Sequence, residues 1–168
     1  MRILGIDPGS SRIGFGLIEK RRGSLSLVEV GVIEIPKGSA SAKLLGLGTE
    51  FKKMLARTKP DMIGIEKIFF SKNAKTAIGV AEARGLIAYC SLEYLGRNGS
   101  ASAIRELVEC TPQEAKVAVT NWGGADKKAV ARMVSLILKA GPLALLDDAT
   151  DALAIAICAA NRNYLDSS

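Results

Sequence analysis

The feature that most constrains the fold is a short apolar run near the N-terminus that ends at a carboxylate. Residues 3–6 read ILGI, which is typical of a buried strand, and Asp7 follows directly. The next residues, PGSS, form a turn that reverses the chain into a second strand. The first strand therefore carries a charge to its carboxyl end, the edge of an α/β sheet where ligands collect. Alone, Asp7 is explained by an Asp-Pro-Gly turn, so a functional interpretation requires other carboxylates at the same edge.

A second strand of the same kind follows a predicted helix. The runs 12–20 and 25–35 flank a basic turn and, with the first strand, predict an antiparallel meander. Helical spacing of apolar residues over 44–55 ends at Pro60, and residues 61–66 (DMIGIE) are another apolar strand that ends at Glu66. Because a strand, helix and strand imply a crossover connection, this strand should run parallel to the first. Glu66 is then expected at the same edge as Asp7.

The rest of the chain predicts four helices and one more strand. A helix over about 74–95 is rich in Ala and Gly, which fits either close packing on the sheet or a subunit interface. A fifth strand is predicted at 103–110, a helix capped by Thr111 follows, and an amphipathic helix ends at Gly141. The last helix, from Asp148 to about residue 161, is apolar nearly all round.

These elements predict a single α/β domain over residues 1–168, since no repeat, low-complexity segment or linker interrupts them. Its sheet should be mixed and five-stranded, with three antiparallel strands followed by two parallel ones, and helices on both faces.

Composition restricts the chemistry. The chain has 23 basic and 17 acidic residues, a net charge of +6 and a pI near 9.3, which favours a polyanionic partner. It contains no histidine, which excludes Ser-His-Asp and Cys-His catalysis and the usual imidazole zinc sites. Oxygen ligands and hard cations remain as the route to hydrolytic chemistry.

Cysteine usage and hydropathy indicate the compartment. The three cysteines are widely spaced and indicate neither a disulfide framework nor a zinc knuckle, which fits a reducing environment. No signal-peptide pattern is present, and the longest apolar run, 152–160, is far below the about 18 residues needed to span a bilayer. We therefore expect a cytoplasmic protein that is not bound to a membrane.

Two further acids open the last helix. Asp148 and Asp151 are three residues apart, so their side chains share a face. Such residues also cap helices and complement the helix dipole without any catalytic role. Together with Asp7 and Glu66, however, they predict four acids at one place, which repel one another unless a cation lies among them.

Carboxylate ligation without His or Cys favours Mg²⁺ or Mn²⁺. Two such ions about 4 Å apart activate water and stabilise the leaving oxygen of a phosphodiester. Lysines would then hold the phosphates, and Phe69 or Phe70 would stack on exposed bases, although a core position fits either phenylalanine equally well.

Four segments together resemble one known family. GIDPGSSRIGFG, IEKIFFSKNAKTAIGVAEARG, GGADKKAV and DDATDALAIA, in this order and spacing, resemble the RuvC-type Holliday junction resolvases over essentially the whole chain. The resemblance implies a ribonuclease-H-like fold, a homodimer and a branch-migration motor as partner. It also implies paired nicks in two strands of like polarity across a four-way DNA junction, during recombination and repair. The implied nicks depend on Mg²⁺ and leave 5′-phosphate and 3′-hydroxyl ends.

The resemblance also assigns residues. It makes Asp7, Glu66, Asp148 and Asp151 the metal-binding catalytic acids. Asp147 creates an ambiguity of register, which the three-residue spacing to Asp151 resolves in favour of Asp148. The expected DNA-contacting residues are the junction-inserting Phe69 and the polar residues Lys72, Asn73, Lys116 and Lys127.

Three other functions stay open at this point. The Gly-x-Asp-x-Gly-Ser pattern also resembles the phosphate loop of sugar kinases and actin-like ATPases, although those proteins need two such domains around the nucleotide. A short ribonuclease-H-like factor in RNA processing shares the opening motif. A module that only binds nucleic acid is the third alternative. Substrate choice, nucleotide binding and the effect of replacing Asp7 by asparagine distinguish among them.

Overall fold

The computed structural model describes residues 1–67, 74–97, 106–141 and 147–162. Its strands are β1 (Arg2–Pro8), β2 (Arg12–Arg21), β3 (Ser24–Glu34), β4 (Met62–Glu66) and β5 (Leu107–Cys110). Its helices are α1 (Ala40–Thr58), α2 (Ala74–Arg97), α3 (Pro112–Thr120), α4 (Lys127–Leu138) and α5 (Asp147–Arg162).

The described strands form one sheet in the order β3-β2-β1-β4-β5. Strands β1, β2 and β3 pair antiparallel, whereas β4 pairs parallel to β1 and β5 parallel to β4. The predicted succession of three antiparallel and two parallel strands is therefore confirmed. The predicted fifth strand is shorter than expected: it begins at Leu107, and residues 98–105 lie outside the described part of the chain.

The sheet is buried on both faces, as the sequence predicts. Alternate residues of a strand face opposite sides. In β1, Leu4 and Ile6 belong to the core cluster under α1 and α2, whereas Ile3 belongs to the cluster under α3, α4 and α5. In β4, Ile63 and Ile65 likewise face α1 and α2. The alternate residues of these two strands, which include Asp7 and Glu66, therefore face α5.

Glycines allow α5 to lie unusually close to the sheet. Gly5 pairs with Gly16 in β2 and with Gly64 in β4, so three bare positions lie side by side. A Cβ atom on Gly5 would lie 2.5 Å from the backbone nitrogen of Ala156, and one on Gly64 would lie 3.0 Å from the Cβ of Ala159. Any side chain at these positions would push the helix away, so the glycines fix how deeply α5 packs.

The capping box predicted at the start of α3 is confirmed. The Thr111 hydroxyl accepts a hydrogen bond from the Glu114 backbone N–H at 3.0 Å, and the Glu114 carboxylate accepts one from the Thr111 N–H at 2.7 Å. Asn121, at φ 58°, ends the helix in the left-handed conformation. Both ends of α3 are therefore fixed by local contacts. No helix in the four described segments is long and apolar enough to span a membrane.

Candidate active site

Two of the predicted acids are neighbours at the carboxyl ends of β1 and β4. The strand register pairs Ile6 with Ile65, so the residues that follow them, Asp7 and Glu66, lie side by side. Both side chains point toward α5 because both preceding isoleucines point toward α1 and α2. The two carboxyl groups interact directly, and this interaction helps to raise the pKa of Asp7.

The first turn of α5 brings two more acids to the same edge. Gly14 of β2 pairs with Asp7, and a Cβ atom on Gly14 would lie only 2.5 Å from the carbonyl carbon of Asp148. The backbone of Asp148 thus rests on the strand next to Asp7. Asp151 follows one turn later, and its charge acts on both Asp7 and Glu66. The structure therefore places all four predicted acids at the same edge of the sheet.

The electrostatics of the four acids reflect this crowding. Burial raises the pKa of Asp7 to about 8, and the negative charges of Glu66, Asp151 and Asp148 contribute to the increase. Burial also raises the pKa of Glu66 and of Asp151, while Lys127 opposes the increase at Asp151. The raised pKa values have the cause expected of carboxyl groups crowded together away from water. Such crowding is typical of catalytic sites and cation sites.

The structure distinguishes Asp148 from its neighbour Asp147. The Asp148 side chain is 29% exposed and acts on Asp7, whereas the Asp147 side chain is 66% exposed and pairs with Lys127 at 2.9 Å. Asp148 is therefore the more buried of the two and the one whose charge acts on Asp7, while the choice of Asp148 as a metal ligand stays a prediction.

Basic side chains neutralise part of this cluster. The Arg12 guanidinium donates to the Asp148 carboxylate, and the Lys127 ammonium lies 3.9 Å from Asp151. The described residues contain no group of three acidic or cysteine side chains arranged around one metal position. The all-oxygen, buried and mutually repelling donor set still fits a hard divalent cation, provided that Asp148 leaves Arg12.

The two lysines expected to contact DNA lie beside the acids. A cavity of about 130 Å³ next to the cluster is lined by both lysines and by two of the acids, among other residues: Glu66, Pro112, Ala115, Lys116, Lys127, Val130, Asp151, Ala154 and Ile155. The positive charge of Lys116, like that of Lys127, opposes the increase in the pKa of Asp151. The other predicted contacts, Phe69, Lys72 and Asn73, together with Phe70, lie outside the described residues.

Sequence reasoning missed two arginines at this edge. Besides Arg12, Arg84 of α2 donates its Nε–H to the backbone carbonyl of Glu66 at 2.9 Å and pairs with the Glu109 carboxylate of β5. It thereby connects the carboxyl end of β4 to the neighbouring strand. No local pattern in the sequence indicates that either arginine lies at the site. A glycine within a strand, such as Gly14, does indicate that another backbone approaches closely.

Comparisons with known proteins identify the family. The family model described as "Crossover junction endodeoxyribonuclease RuvC" matches residues 3–159. The RuvC of Caldicellulosiruptor saccharolyticus is 39% identical over 160 residues, covering 94% of this chain and 91% of the relative. That of Chloroflexus aggregans is 41% identical over 159 residues, covering 94% and 92%.

Solved structures of RuvC proteins share the fold of this chain. The Thermus thermophilus RuvC structure superposes with a TM-score of 0.82 at 26% identity, covering 99% of this chain and 97% of that one. T. thermophilus RuvC in complex with Holliday junction substrate gives a TM-score of 0.82 at 24% identity, covering 98% and 96%. The ribonuclease-H-like fold expected from the sequence is confirmed by this likeness, and the chain belongs to the RuvC family of crossover junction endodeoxyribonucleases.

Proposed function

We propose that this protein is a structure-selective endonuclease that resolves four-way DNA junctions by paired nicks in two strands of like polarity, during recombination and DNA repair. The observation that carries the proposal is the convergence of Asp7, Glu66, Asp148 and Asp151 at one sheet edge in a chain of this family. The relative of the same fold that was solved with a Holliday junction supports the choice of substrate. The net charge of +6 suits a polyanionic partner.

The four acids are proposed to hold two Mg²⁺ ions, for which Mn²⁺ substitutes. Two bound ions would supply Lewis acidity to the attacking water and to the leaving oxygen of the phosphodiester. For the acids to act as ligands, Asp7 must give up the proton that its raised pKa retains, and Asp148 must exchange Arg12 for the cation. Metal binding at these acids therefore requires both changes, the loss of the Asp7 proton and the release of Asp148 from Arg12.

Basic side chains are proposed to place the DNA over the acids. Lys116 and Lys127 lie beside Glu66 and Asp151, so each can hold a phosphate near the bond to be cleaved. Phe69 is proposed to insert into the junction, and Lys72 and Asn73 to contact the adjoining backbone, on the strength of the family resemblance.

The test compares substrates and charge-neutral variants. Asp7→Asn and Glu66→Gln should abolish cleavage of a synthetic four-way junction in Mg²⁺, yet preserve or improve its binding, because each removes negative charge near DNA. The matched control is Asp147→Asn, which removes an exposed acid one residue from the proposed ligands. A linear duplex, an RNA–DNA hybrid and EDTA complete the comparison.

Each result of that comparison has a clear meaning. The proposal is supported if Asp147→Asn retains metal-dependent cleavage of the junction while Asp7→Asn and Glu66→Gln lose it. Preferential cleavage of the hybrid would favour an RNA-processing function, and loss of folding in both variants would favour structural roles for the acids.

A homodimer is proposed to place two such sites on one junction. One face of α2 exposes Ile78, Tyr89 and Leu92 at helical spacing, and Gly85 between them has no neighbour within 4 Å of an added Cβ. Such an apolar face suits a second copy of the chain, because an approximately two-fold junction presents two equivalent phosphates. A branch-migration motor is proposed as a further partner from the family resemblance alone.

Sedimentation tests the dimer. Leu92→Glu should convert a dimer to a monomer and uncouple the two nicks, because a buried charge at an apolar interface has no partner there. Leu45→Glu, on the exposed surface of α1, is the matched control. A monomeric wild-type protein that still makes paired nicks would contradict this assignment.

A further inference from the structure

The turn between α3 and α4 presents a large aromatic side chain to solvent. Trp122, the single tryptophan of the chain, is 67% exposed. Tryptophan normally contributes to stability by burying most of its surface, and an exposed one on a fixed turn is typical of a binding contact. Nothing in the proposed chemistry of the acids uses this residue.

Hydrogen bonds and packing hold Trp122 in place. The Thr120 hydroxyl lies 2.8 Å from the carbonyl oxygens of both Lys116 and Trp122, and it accepts a hydrogen bond from the Trp122 N–H at 3.2 Å. The indole ring lies over Gly124, where an added Cβ would be 2.7 Å from the ring atom Cζ2. The ring is therefore oriented in advance, which reduces the entropy lost when it binds a partner.

The same turn contacts the first turn of α3, the helix that borders the acids. Gly123 packs against the Gln113 side chain in the first turn of α3, with an added Cβ only 2.8 Å from Gln113 Cγ. The preceding residue, Pro112, lines the small cavity together with Glu66 and Asp151. Trp122 thus belongs to a turn that packs on the part of α3 bordering this cavity.

The surroundings of Trp122 identify the chemistry of its partner. Lys116 precedes the turn, and Lys127 and Lys128 follow it. The positive charges of Lys116 and Lys127 act on Asp151. A flat aromatic ring flanked in sequence by lysines suits a nucleic-acid strand, whose bases stack while its phosphates pair with the ammonium groups. In an intact duplex the base faces are covered by their neighbours, whereas at the crossing point of a four-way junction they become accessible.

We propose that Trp122 stacks on a nucleobase of the junction strand next to the phosphate that the acids cleave, and thereby helps to select a junction over a duplex. This inference rests on the proposed function of the same site. Trp122→Ala should weaken junction binding about tenfold, within the range measured for base–aromatic stacking, and should change duplex binding much less. Trp122→Phe, which keeps an aromatic ring, should bind nearly as tightly as the wild-type protein.

The single tryptophan makes the contact directly measurable. Tryptophan emission is recorded in EDTA while a four-way junction is titrated in, with fluorescence anisotropy of a dye-labelled junction reporting binding independently. We expect the junction to quench the emission and to protect Trp122 from acrylamide, and a duplex of the same sequence to do neither to the same extent. Leu136→Ala, which truncates an exposed apolar residue of α4, is the control for affinity.

The outcomes separate this inference from the function on which it rests. Failure of the wild-type protein to bind or cleave the junction would reject the proposed function itself. Normal cleavage by the wild-type protein, combined with unchanged emission at saturation and normal affinity of Trp122→Ala, would reject the stacking contact alone. An equal loss of junction and duplex affinity would reject the selectivity. Thermal denaturation of Trp122→Ala confirms that the variant is folded.

Discussion

Gly14→Ala should greatly slow DNA cleavage without removing any charged or polar group. The added Cβ would lie 2.5 Å from the carbonyl carbon of Asp148, whereas ordinary contacts begin at 3.4 Å. The first turn of α5 must therefore retreat from β2 by about 1 Å, because the strand is held by partners on both sides. That movement carries Asp148 and Asp151 away from Asp7 and Glu66.

Two magnitudes follow from this movement. Overpacking of this kind costs about 1–3 kcal/mol of the free energy of unfolding, which lowers Tm by roughly 2–12 °C in a chain of this length. A displacement of about 1 Å at a reacting centre costs about 100-fold in rate. The loss of activity should therefore greatly exceed the loss of folded protein at 25 °C.

The assay is single-turnover cleavage of a four-way junction in Mg²⁺, with Tm measured on the same preparations. Gly48→Ala is the matched control, since its Cβ would make ordinary contacts of 3.5 Å or more with Leu86 and it lies in α1, on the other face of the sheet. Normal cleavage by Gly14→Ala, with an unchanged Tm, would refute the idea that the glycines of the sheet set the position of the α5 acids.

Two further predictions concern the groups around this cluster. Because the folded-state pKa of Asp7 is raised to about 8, the metal-free protein should lose stability as pH rises from about 4 to 8, where the unfolded chain releases a proton that the folded one keeps. Asp7→Asn should flatten that decline in urea denaturation in EDTA, and parallel pH profiles for the two proteins would contradict it. Arg84→Ala should cost about 1–2 kcal/mol of unfolding free energy and slow cleavage without weakening junction binding, because the Glu66 carbonyl loses its donor. Arg84→Lys should not restore the rate, since one ammonium cannot reproduce the two-sided guanidinium contact, and full recovery would show that only charge matters there.

The parts of the site that sequence could predict are those set by local periodicity and by chain topology. The alternation of side chains in β1 and β4, together with the parallel crossover, places Asp7 and Glu66 at one edge. The three-residue spacing of Asp148 and Asp151 places both on one face of α5. These relations hold whatever the distant partners are.

The parts that could not be predicted depend on contacts between distant segments. Arg12 meets Asp148 across 136 residues of chain, and Arg84 reaches Glu66 from a different element. No local pattern distinguishes these arginines from solvated ones. The start of β5 at Leu107 was also beyond local propensity, because a short parallel strand is defined by pairing with its neighbour rather than by its own residues.

The four acids are spread along most of the sequence, at positions 7, 66, 148 and 151, and this spacing has a consequence for the cell. Asp7 is made early in translation, but Asp148 and Asp151 emerge only after some 140 further residues have been added. An incompletely synthesised chain, or one whose last helix has come away from the sheet, lacks Asp148 and Asp151 at the sheet edge, so under the proposed mechanism it should not hydrolyse DNA. If the four acids act as proposed, nuclease activity therefore depends on the docking of α5, the last helix to be synthesised, on the sheet.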